Sequence, residues 1–438
     1  MVRFAPSPTG DLHLGNLRVA LINWVVAQQK GVPFLVRIED TDRERNIPGK
    51  DREILELLER FQIKPDRVVY QSENFHFHQQ LAEKLLKEGK AYPCFCTPEE
   101  IREERERARI EGRPYRYSGK CRHLTGREVK SRLERGEKFT IRLKKPEKPI
   151  KFKDLIKGEL EFSPFEVDDF IILRADGTPT YNFACAVDDM LYNISTVIRG
   201  EDHLSNTPKQ IHIRNQLGYR EPIQYAHLPI ILNREGKKLS KREAHFSVKW
   251  LLEEGYLPEA IANYLLLLGR SVPKEEEVFT LKEAVERFQL EEISKAPARF
   301  DIEKLKFLNR QHLRRIEKLT PLLGVDPKLE GLAQLYRDEV STLKELKEKL
   351  LKIYRPVEEW HGFEEEGEQL KRAILEMPEL PEDYNLFKRE LIEKTGLKGK
   401  RLFMPLRLLL VGEPHGPEIR DLYQVIGPFL KELLRNYR

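Results

Sequence analysis

The chain has 438 residues, of which 34% are charged and 40% hydrophobic, and its formal net charge is +5. A chain of this length suggests two to four domains with enough apolar residues for sizeable cores. No apolar run approaches the roughly 18–20 residues of a membrane span, and the N-terminus lacks the charged and apolar segments of a signal peptide. We therefore expect a cytoplasmic protein without membrane contacts, in which any nucleic-acid surface is a local basic face.

The first part of the chain alternates strand and helix signals. Residues 2–5 and 33–38 read as strands, and residues 17–29 and 51–61 read as helices. The second helix is amphipathic, with apolar residues three and four positions apart. Strands that alternate with helices predict an α/β domain with a parallel, doubly wound sheet.

A helix predicted over 76–88 is followed by a stretch in which this alternation is lost. The sequence from Ala91 contains prolines, cysteines and an arginine-dense run at 102–116. Two short segments with alternating apolar residues follow at 139–143 and 161–167. This change of period predicts an insertion of mixed α/β structure within the sheet domain.

The doubly wound pattern then resumes, with a predicted strand at 196–198 and a predicted helix at 208–217. After Val248, apolar residues recur three and four positions apart almost throughout, which is typical of helices. We therefore expect an all-helical C-terminal half, with breaks around 378–381 and 396–399.

Two segments far apart in the sequence have the features of a phosphate site. A Pro/Gly turn at 5–10 leads into His13, Gly15 and Asn16, at the start of the first predicted helix. This arrangement directs a helix N-terminus and an imidazole at an anion. The second segment, 237–242, is a glycine-led loop with lysines on both sides of a serine, suited to closing over a polyphosphate. Taken alone, the two segments are also compatible with a turn-capping histidine and a solvated basic loop.

Three of the four cysteines form a pattern with a histidine. Cys94 and Cys96 precede Cys121 and His123 by a spacer of 24 residues. Three thiolates and an imidazole satisfy a tetrahedral zinc ion, and two short chelating pairs suit a closed structural site. The clustering also argues against a disulfide framework and for a reducing compartment. The alternative is a set of reduced core cysteines beside an unrelated exposed histidine.

The opening from Arg3 to Asn16 and the lysine loop resemble the nucleotide-binding signatures of class I aminoacyl-tRNA synthetases, specifically the bacterial-type glutamyl-tRNA synthetases. The resemblance is dense up to about residue 310 and looser beyond it, where it depends on 404–407 and on helical character. It implies ligation of L-glutamate to the 3′-terminal adenosine of tRNA-Glu through a glutamyl-adenylate, with release of pyrophosphate and AMP. It also implies ATP with magnesium, one structural zinc ion and a monomeric enzyme.

The resemblance further implies a division into domains. A Rossmann-like catalytic domain is expected at 1–78 and 184–232, split by an acceptor-end-binding insertion at 79–183 that holds the zinc site. A helical stem-contact domain with the lysine loop is expected at 233–305, and a helical anticodon-binding region at 306–438.

The resemblance also implies the residues of the site. The expected ATP-binding residues are Pro6, Ser7, Gly10, His13, Gly15, Asn16, Lys238, Ser240 and Lys241, and His13, Asn16, Lys238 and Lys241 are the expected catalytic residues. The expected glutamate-binding residues are Arg3, Ala5, Ser7, Glu39, Tyr181 and Arg199. The two arginines are expected to hold the side-chain carboxylate, which arginine can bind with two parallel hydrogen bonds. Glu39 has a simpler interpretation as a carboxylate at a sheet edge that caps a helix.

Other functions fit part of the sequence. Glutaminyl-tRNA synthetases share the N-terminal pattern but typically end in β-barrels, which the helical C-terminal third argues against. A catalytically silent tRNA-binding paralogue would not need intact site residues. Charging of tRNA-Gln stays open as an alternative, because counting back from Thr342 places Glu339 where family members are expected to read the third anticodon base with an arginine.

Replacing Lys241 by alanine should lower glutamate activation about a hundredfold, because loss of a preorganised donor to a developing charge costs roughly 3–4 kcal/mol. The affinities for ATP and tRNA should change far less. The measurement is single-turnover activation with tRNA present, and Arg242→Ala is the control, since Arg242 is expected to matter less. Near-full activation by the Lys241 variant would show that the loop is a solvated basic turn.

Overall fold

The computed structural model describes residues 1–240, 243 and 246–438, so Lys241 and Arg242 of the lysine loop lie outside the described residues. The described chain forms two compact units. The first comprises Met1–Val248 and Leu265–Phe300, and the second comprises Lys249–Tyr264 and Asp301–Arg438. Within the described residues, no helix is both long and apolar enough to cross a membrane.

The first unit is built on a large, mainly parallel sheet. The strands of the chain are β1 (Val2–Phe4), β2 (Phe34–Ile38), β3 (Arg67–Tyr70), β4 (Ala91–Cys94), β5 (Thr140–Leu143), β6 (Ile150–Asp154), β7 (Gly158–Phe162), β8 (Phe170–Leu173), β9 (Thr196–Gly200), β10 (Gln224–Leu228), β11 (Ile231–Leu232) and β12 (Ala298–Arg299). The large sheet has the order β3-β2-β1-β9-β10-β6-β7, and only the pair β6 and β7 is antiparallel among its described strands. This confirms the prediction of a doubly wound parallel sheet.

Helices connect and cover these strands. Up to residue 300 the helices of the chain are α1 (Leu14–Lys30), α2 (Lys50–Arg60), α3 (Phe75–Lys87), α4 (Pro98–Ile110), α5 (Gly126–Glu134), α6 (Pro164–Val167), α7 (Tyr181–Leu191), α8 (Thr207–Gln216), α9 (Val248–Glu253), α10 (Pro258–Leu267) and α11 (Leu281–Arg287). Most of α9 and of α10 belongs to the second unit. The strand β2 is buried along its whole length, as expected of a strand covered by helices on both faces. The helix α1 ends where Gly31 adopts a left-handed conformation, with φ of 61°.

The inserted stretch forms a second sheet and also extends the first. The strands β4, β5 and β8 make an antiparallel sheet, while the hairpin of β6 and β7 continues the large sheet at β10. The expectation of alternating structure through 161–167 is wrong after Phe162. Ser163 and Glu166 cap each other's backbone and Pro164 takes the first helical position, so this sequence begins the short helix α6 instead.

The second unit is helical, which confirms the prediction for the C-terminal part. Beyond residue 300 the helices are α12 (Ile302–Leu313), α13 (Thr320–Leu323), α14 (Glu330–Tyr336), α15 (Leu343–Leu351), α16 (Glu364–Glu376), α17 (Tyr384–Thr395), α18 (Lys400–Val411), α19 (Ile419–Ile426) and α20 (Leu430–Asn436). Their apolar faces form one core, in which the rings of Phe387 and Tyr423 stack 4.0 Å apart. Both expected breaks are present, since α16 ends just before Pro378 and Gly396 ends α17 with φ of 72°.

Candidate functional site

A cavity of about 710 Å³ lies in the first unit at the carboxyl ends of β1, β9 and β10. This is where the strand order of the sheet reverses, which is the usual ligand site of an open parallel sheet. Every predicted ATP- or glutamate-binding residue that the structure describes lines it: Arg3, Ala5, Pro6, Ser7, Gly10, His13, Gly15, Asn16, Glu39, Tyr181, Arg199, Lys238 and Ser240. The fold thus brings both predicted sets into one space, and the individual roles of these residues stay predictions.

The turn that follows β1 is held against the segment that follows β2. The carbonyl oxygen of Pro6 accepts a hydrogen bond from the backbone N–H of Glu39, at 2.9 Å, and that of Pro8 accepts one from Ile47, at 2.9 Å. The parallel pairing of β1 and β2 sets this alignment. As a result Ser7 and Glu39, which are far apart in sequence, both line the cavity.

His13 caps α1 and faces the cavity at the same time. Its Nδ1 accepts a hydrogen bond from the backbone N–H of Asn16, at 3.2 Å, and its ring stacks 4.3 Å from that of Phe246. Because Nδ1 accepts, the proton of the neutral ring is on Nε2. A Cβ at Gly15 would lie only 3.0 Å from the His13 ring, so glycine lets the imidazole lie against the helix start. The turn-capping interpretation of His13 is therefore compatible with a site at this helix N-terminus.

The described part of the lysine loop is anchored on both sides of a tight turn. Asn233 exchanges two backbone hydrogen bonds with the turn that contains Gly236, whose φ is 78°. The backbone N–H of Leu239 donates to Ile231, at 3.0 Å, and the Leu239 side chain is buried. These contacts hold the exposed Lys238 at the edge of the cavity.

Behind the cavity, one buried aspartate accepts hydrogen bonds from two buried arginines. Asp189 of α7 accepts hydrogen bonds from Nε and Nη2 of Arg3, at 3.1 Å each, and from Nη1 of Arg37, at 2.7 Å. Burial opposes ionisation of Asp189, but the two guanidinium groups outweigh it and hold the pKa of this carboxyl below its ordinary value. Arg37 also contacts Glu39, at 3.3 Å. Burial raises the pKa of Glu39, and Arg37 opposes that increase.

Arg199 differs from these arginines in having neutral partners. Its Nε donates to His227, its Nη1 to Gln210 and its Nη2 to Thr207, at 3.2, 2.9 and 2.7 Å. Among the described residues no carboxylate forms an ion pair with Arg199, although its side chain is buried. Burial, and then the positive charge of Arg199, lower the pKa of the nearby His203 to about 4. In this corner of the cavity, no carboxylate of the described residues therefore contacts the Arg199 guanidinium directly, which suits an anionic ligand group.

The cysteines of the insertion lie together, but their predicted histidine partner does not join them. The sulfur atoms of Cys94, Cys96 and Cys121 are within 4.8 Å of one another. His123 is exposed and lies outside this group. The hydroxyl of Tyr117, which the sequence analysis missed, lies 3.3 Å from Cys94 Sγ and 3.3 Å from Cys96 Sγ. The thiol cluster can hold a metal ion, because thiolates are preferred ligands of soft and borderline metals.

The sequence matches the family of class I tRNA synthetases (E and Q), catalytic domain, over residues 1–307. Residues 314–429 match an anticodon-binding domain. The chain belongs to the class I tRNA synthetases.

Full-length relatives of this class I tRNA synthetase carry more specific names. It is 60% identical to glutamate–tRNA ligase 1 of Nitratiruptor sp. over 99% of this chain and all of that protein. It is 54% identical to glutamate–tRNA ligase 1 of Campylobacter jejuni, over 99% and 100% of the two chains. A glutamate tRNA ligase from Elizabethkingia meningosepticum, crystallised with its amino acid, has a TM-score of 0.86 and is 31% identical, with 99% and 98% of the chains covered. This likeness agrees with the observed Rossmann-like sheet and helical C-terminal part.

Replacing Asp189 by asparagine should lower the free energy of unfolding by about 3–5 kcal/mol, because it leaves two buried guanidinium groups without their carboxylate. Since the folded-state pKa of Asp189 is lowered, its stabilisation is present at neutral pH and is lost as pH falls below about 4. The difference between the two proteins should therefore shrink in acid. Urea titrations at several pH values measure it.

Asp42→Asn is the matched control, because Asp42 is exposed and makes only a 3.9 Å ion pair with Arg45. Such surface pairs contribute about 0–1 kcal/mol. Equal stability of the Asp189 and Asp42 variants would contradict the role given to the buried cluster.

Proposed function

We propose that this class I tRNA synthetase is a glutamate–tRNA ligase, which activates L-glutamate with ATP and transfers it to tRNA-Glu. The observation that carries the proposal is the single cavity in which the two phosphate-site segments meet a buried arginine with neutral partners. The full-length identity to ligases named for glutamate supports the same activity.

The first step requires positioning and charge neutralisation more than a protein nucleophile. In the proposed reaction a glutamate carboxylate oxygen attacks the α-phosphorus of ATP, and the bond to the departing pyrophosphate breaks. His13 and Asn16, at the N-terminus of α1, would contact phosphate oxygens. Lys238 would stabilise the negative charge from the edge of the cavity, together with Lys241, which lies outside the described residues. Magnesium would accompany the ATP phosphates.

In the second step, the terminal ribose hydroxyl of tRNA attacks the carbonyl of the glutamyl-adenylate and AMP leaves. The mixed anhydride is already activated, so this step again depends on placing two reactants together. We further propose that the enzyme acts as a monomer.

The amino acid would lie with its side-chain carboxylate at Arg199. Tyr181, whose hydroxyl is 3.2 Å from His203 Nδ1, lines the same region and can add a hydrogen bond. Glu39 and Ser7 would bind the α-amino group, since a carboxylate near this position complements an ammonium. Arg3 lines the cavity but already shares Asp189 with a second arginine, so Arg199 should carry more of the recognition of the carboxylate.

Replacing Arg199 by alanine should raise the KM for glutamate about ten- to hundredfold, because a hydrogen-bonded charge pair contributes about 1.5–3 kcal/mol. The KM for ATP should change little. ATP–pyrophosphate exchange with tRNA present measures both constants. Arg113→Ala, at an exposed position where Arg113 pairs with Glu111, should leave both unchanged. An unchanged glutamate KM in the Arg199 variant would contradict the assignment.

We also propose that the thiol cluster of the insertion binds one structural zinc ion. Cys94, Cys96 and Cys121 supply three thiolates, and the hydroxyl of Tyr117 is placed to supply an oxygen ligand where His123 was expected. The backbone N–H of Cys121 donates to the same hydroxyl, at 3.1 Å. A bound ion would join β4 to the loop before α5 and stabilise this part of the fold directly.

Protein purified without added metal should contain about one zinc per chain by elemental analysis. Cys121→Ser should lower this content and loosen the insertion locally, which hydrogen exchange detects. The pair Tyr117→Phe and His123→Ala separates the two candidates for the fourth ligand, and only the tyrosine change should lower zinc retention against a chelator. Metal-free protein with an ordered insertion would contradict the zinc proposal, and loss of zinc in the histidine variant alone would restore the sequence-based prediction.

We propose tRNA-Glu as the nucleic-acid partner and keep tRNA-Gln as the alternative. Glu339, the residue that sequence counting placed at the third anticodon base, lies in a short 3₁₀ helix after α14. Its carboxylate is 3.7 Å from Lys349 Nζ, and that lysine also pairs with Glu413 at 3.0 Å. An acidic residue here would not select a base as an arginine does. This residue is the observation that favours weaker discrimination between tRNA-Glu and tRNA-Gln.

A further inference from the structure

Three neighbouring strands place three polar residues in one row that ends at the cavity. Arg199 lies in β9 directly opposite His227 in β10, because the parallel register pairs these two residues. Asp154 is the last residue of β6 and pairs with Tyr225 of β10. Arg199, His227 and Asp154 are 5%, 0% and 1% exposed, and Arg199 also lines the cavity.

The hydrogen bonds determine which nitrogen of His227 carries the proton. His227 Nε2 lies 3.2 Å from Arg199 Nε, which can only donate, and 2.9 Å from the Thr207 hydroxyl, which can donate as well, so both contacts fit an unprotonated Nε2. On the other side of the ring, Nδ1 lies 2.6 Å from Asp154 Oδ2 and donates its proton to that carboxylate. Burial lowers the pKa of His227, against the opposing effect of Asp154, and keeps the ring neutral.

Asp154 is itself held by the backbone. Its Oδ1 accepts hydrogen bonds from the N–H groups of Ile156 and Lys157, at 2.9 and 2.8 Å, in the turn between β6 and β7. The carboxylate therefore has a defined orientation toward the ring. A neutral histidine between the carboxylate and Arg199 keeps the two charged groups out of contact, whereas an aspartate in direct contact with Arg199 would occupy the donors of the guanidinium.

We propose that Asp154 and His227 are positioning residues for amino-acid recognition: Asp154 holds His227 as the tautomer protonated on Nδ1, and His227 orients the Arg199 guanidinium for the carboxylate of the bound amino acid. This inference rests on the proposed role of Arg199. It adds two residues to those that determine the specificity of the site. Neither of the two lines the cavity or touches the ligand.

The variant Asp154→Asn keeps the size of the side chain and an oxygen for the backbone N–H groups. Its amide N–H₂ would donate to His227 Nδ1, and the imidazole proton would move to Nε2, where it would face the donor Nε–H of Arg199. In ATP–pyrophosphate exchange by the full-length enzyme with tRNA-Glu, the KM for glutamate should rise about tenfold or more, while the KM for ATP changes less than about twofold. Asp176→Asn, in an exposed turn, is the matched control.

Two changes at His227 separate a positioning role from a merely structural one. Asparagine can still donate to Asp154 but cannot reach Arg199, whereas glutamine can present an acceptor near the position of Nε2. The asparagine variant should therefore match Asp154→Asn, and the glutamine variant should recover a glutamate KM within about threefold of the unmutated enzyme. Equal loss in both variants would show that His227 only fills space.

Arg199→Ala distinguishes failure of this inference from failure of the proposed function. If it raises the glutamate KM while Asp154→Asn and His227→Asn do not, the positioning role is overturned and the proposed function stands. If Arg199→Ala leaves the glutamate KM unchanged, the role proposed for Arg199 is overturned. Neutron diffraction from the unmutated enzyme tests the inference without any variant: a deuteron on His227 Nδ1 alone supports it, and a deuteron on Nε2 overturns it.

Discussion

The proposed specificity depends on how the buried arginines around the cavity are bonded. Arg3 and Arg37 share one carboxylate, Asp189, and Arg37 also contacts Glu39. Arg199, by contrast, is bonded to neutral groups. Among these three buried arginines, Arg199 is thus the one that no carboxylate of the described residues contacts directly, since Asp154 reaches it only through His227. A buried guanidinium without a carboxylate in contact favours an anionic ligand group. In the proposed function, this is the reason that the site would select an acid over its amide.

The parallel sheet makes this arrangement possible. Residues at the carboxyl ends of β1, β9 and β10 converge where the strand order reverses, and the same edge receives the N-terminus of α1. In the proposed function, the helix start and the lysine loop would supply the groups for phosphates, while the strand ends would supply the groups for the amino acid. Reactants held in this way would need no protein nucleophile, because proximity and charge stabilisation can account for the rate.

The sequence predicted those parts of the site whose residues form a recognisable local pattern. The turn at 5–10 and His13 are contiguous, and strand–helix alternation predicted the sheet that brings Glu39 and Arg199 to them. It could not predict that Asp154 meets His227, because this depends on β6 lying beside β10, an order that no local pattern encodes. Tyr117 was missed for a similar reason, since its hydroxyl reaches the thiols only through the folding of the loop before Cys121.

Discrimination between glutamate and glutamine by the unmutated enzyme tests the central claim most directly. The two side chains are nearly isosteric, so any large difference must come from charge and hydrogen-bond polarity at the carboxylate position. The measurement is kcat/KM for each amino acid in charging of purified tRNA-Glu, with tRNA-Gln assayed in parallel. An Arg199 that no protein carboxylate contacts directly predicts a preference for glutamate of at least about a hundredfold. Equal charging with glutamine and glutamate would contradict the account.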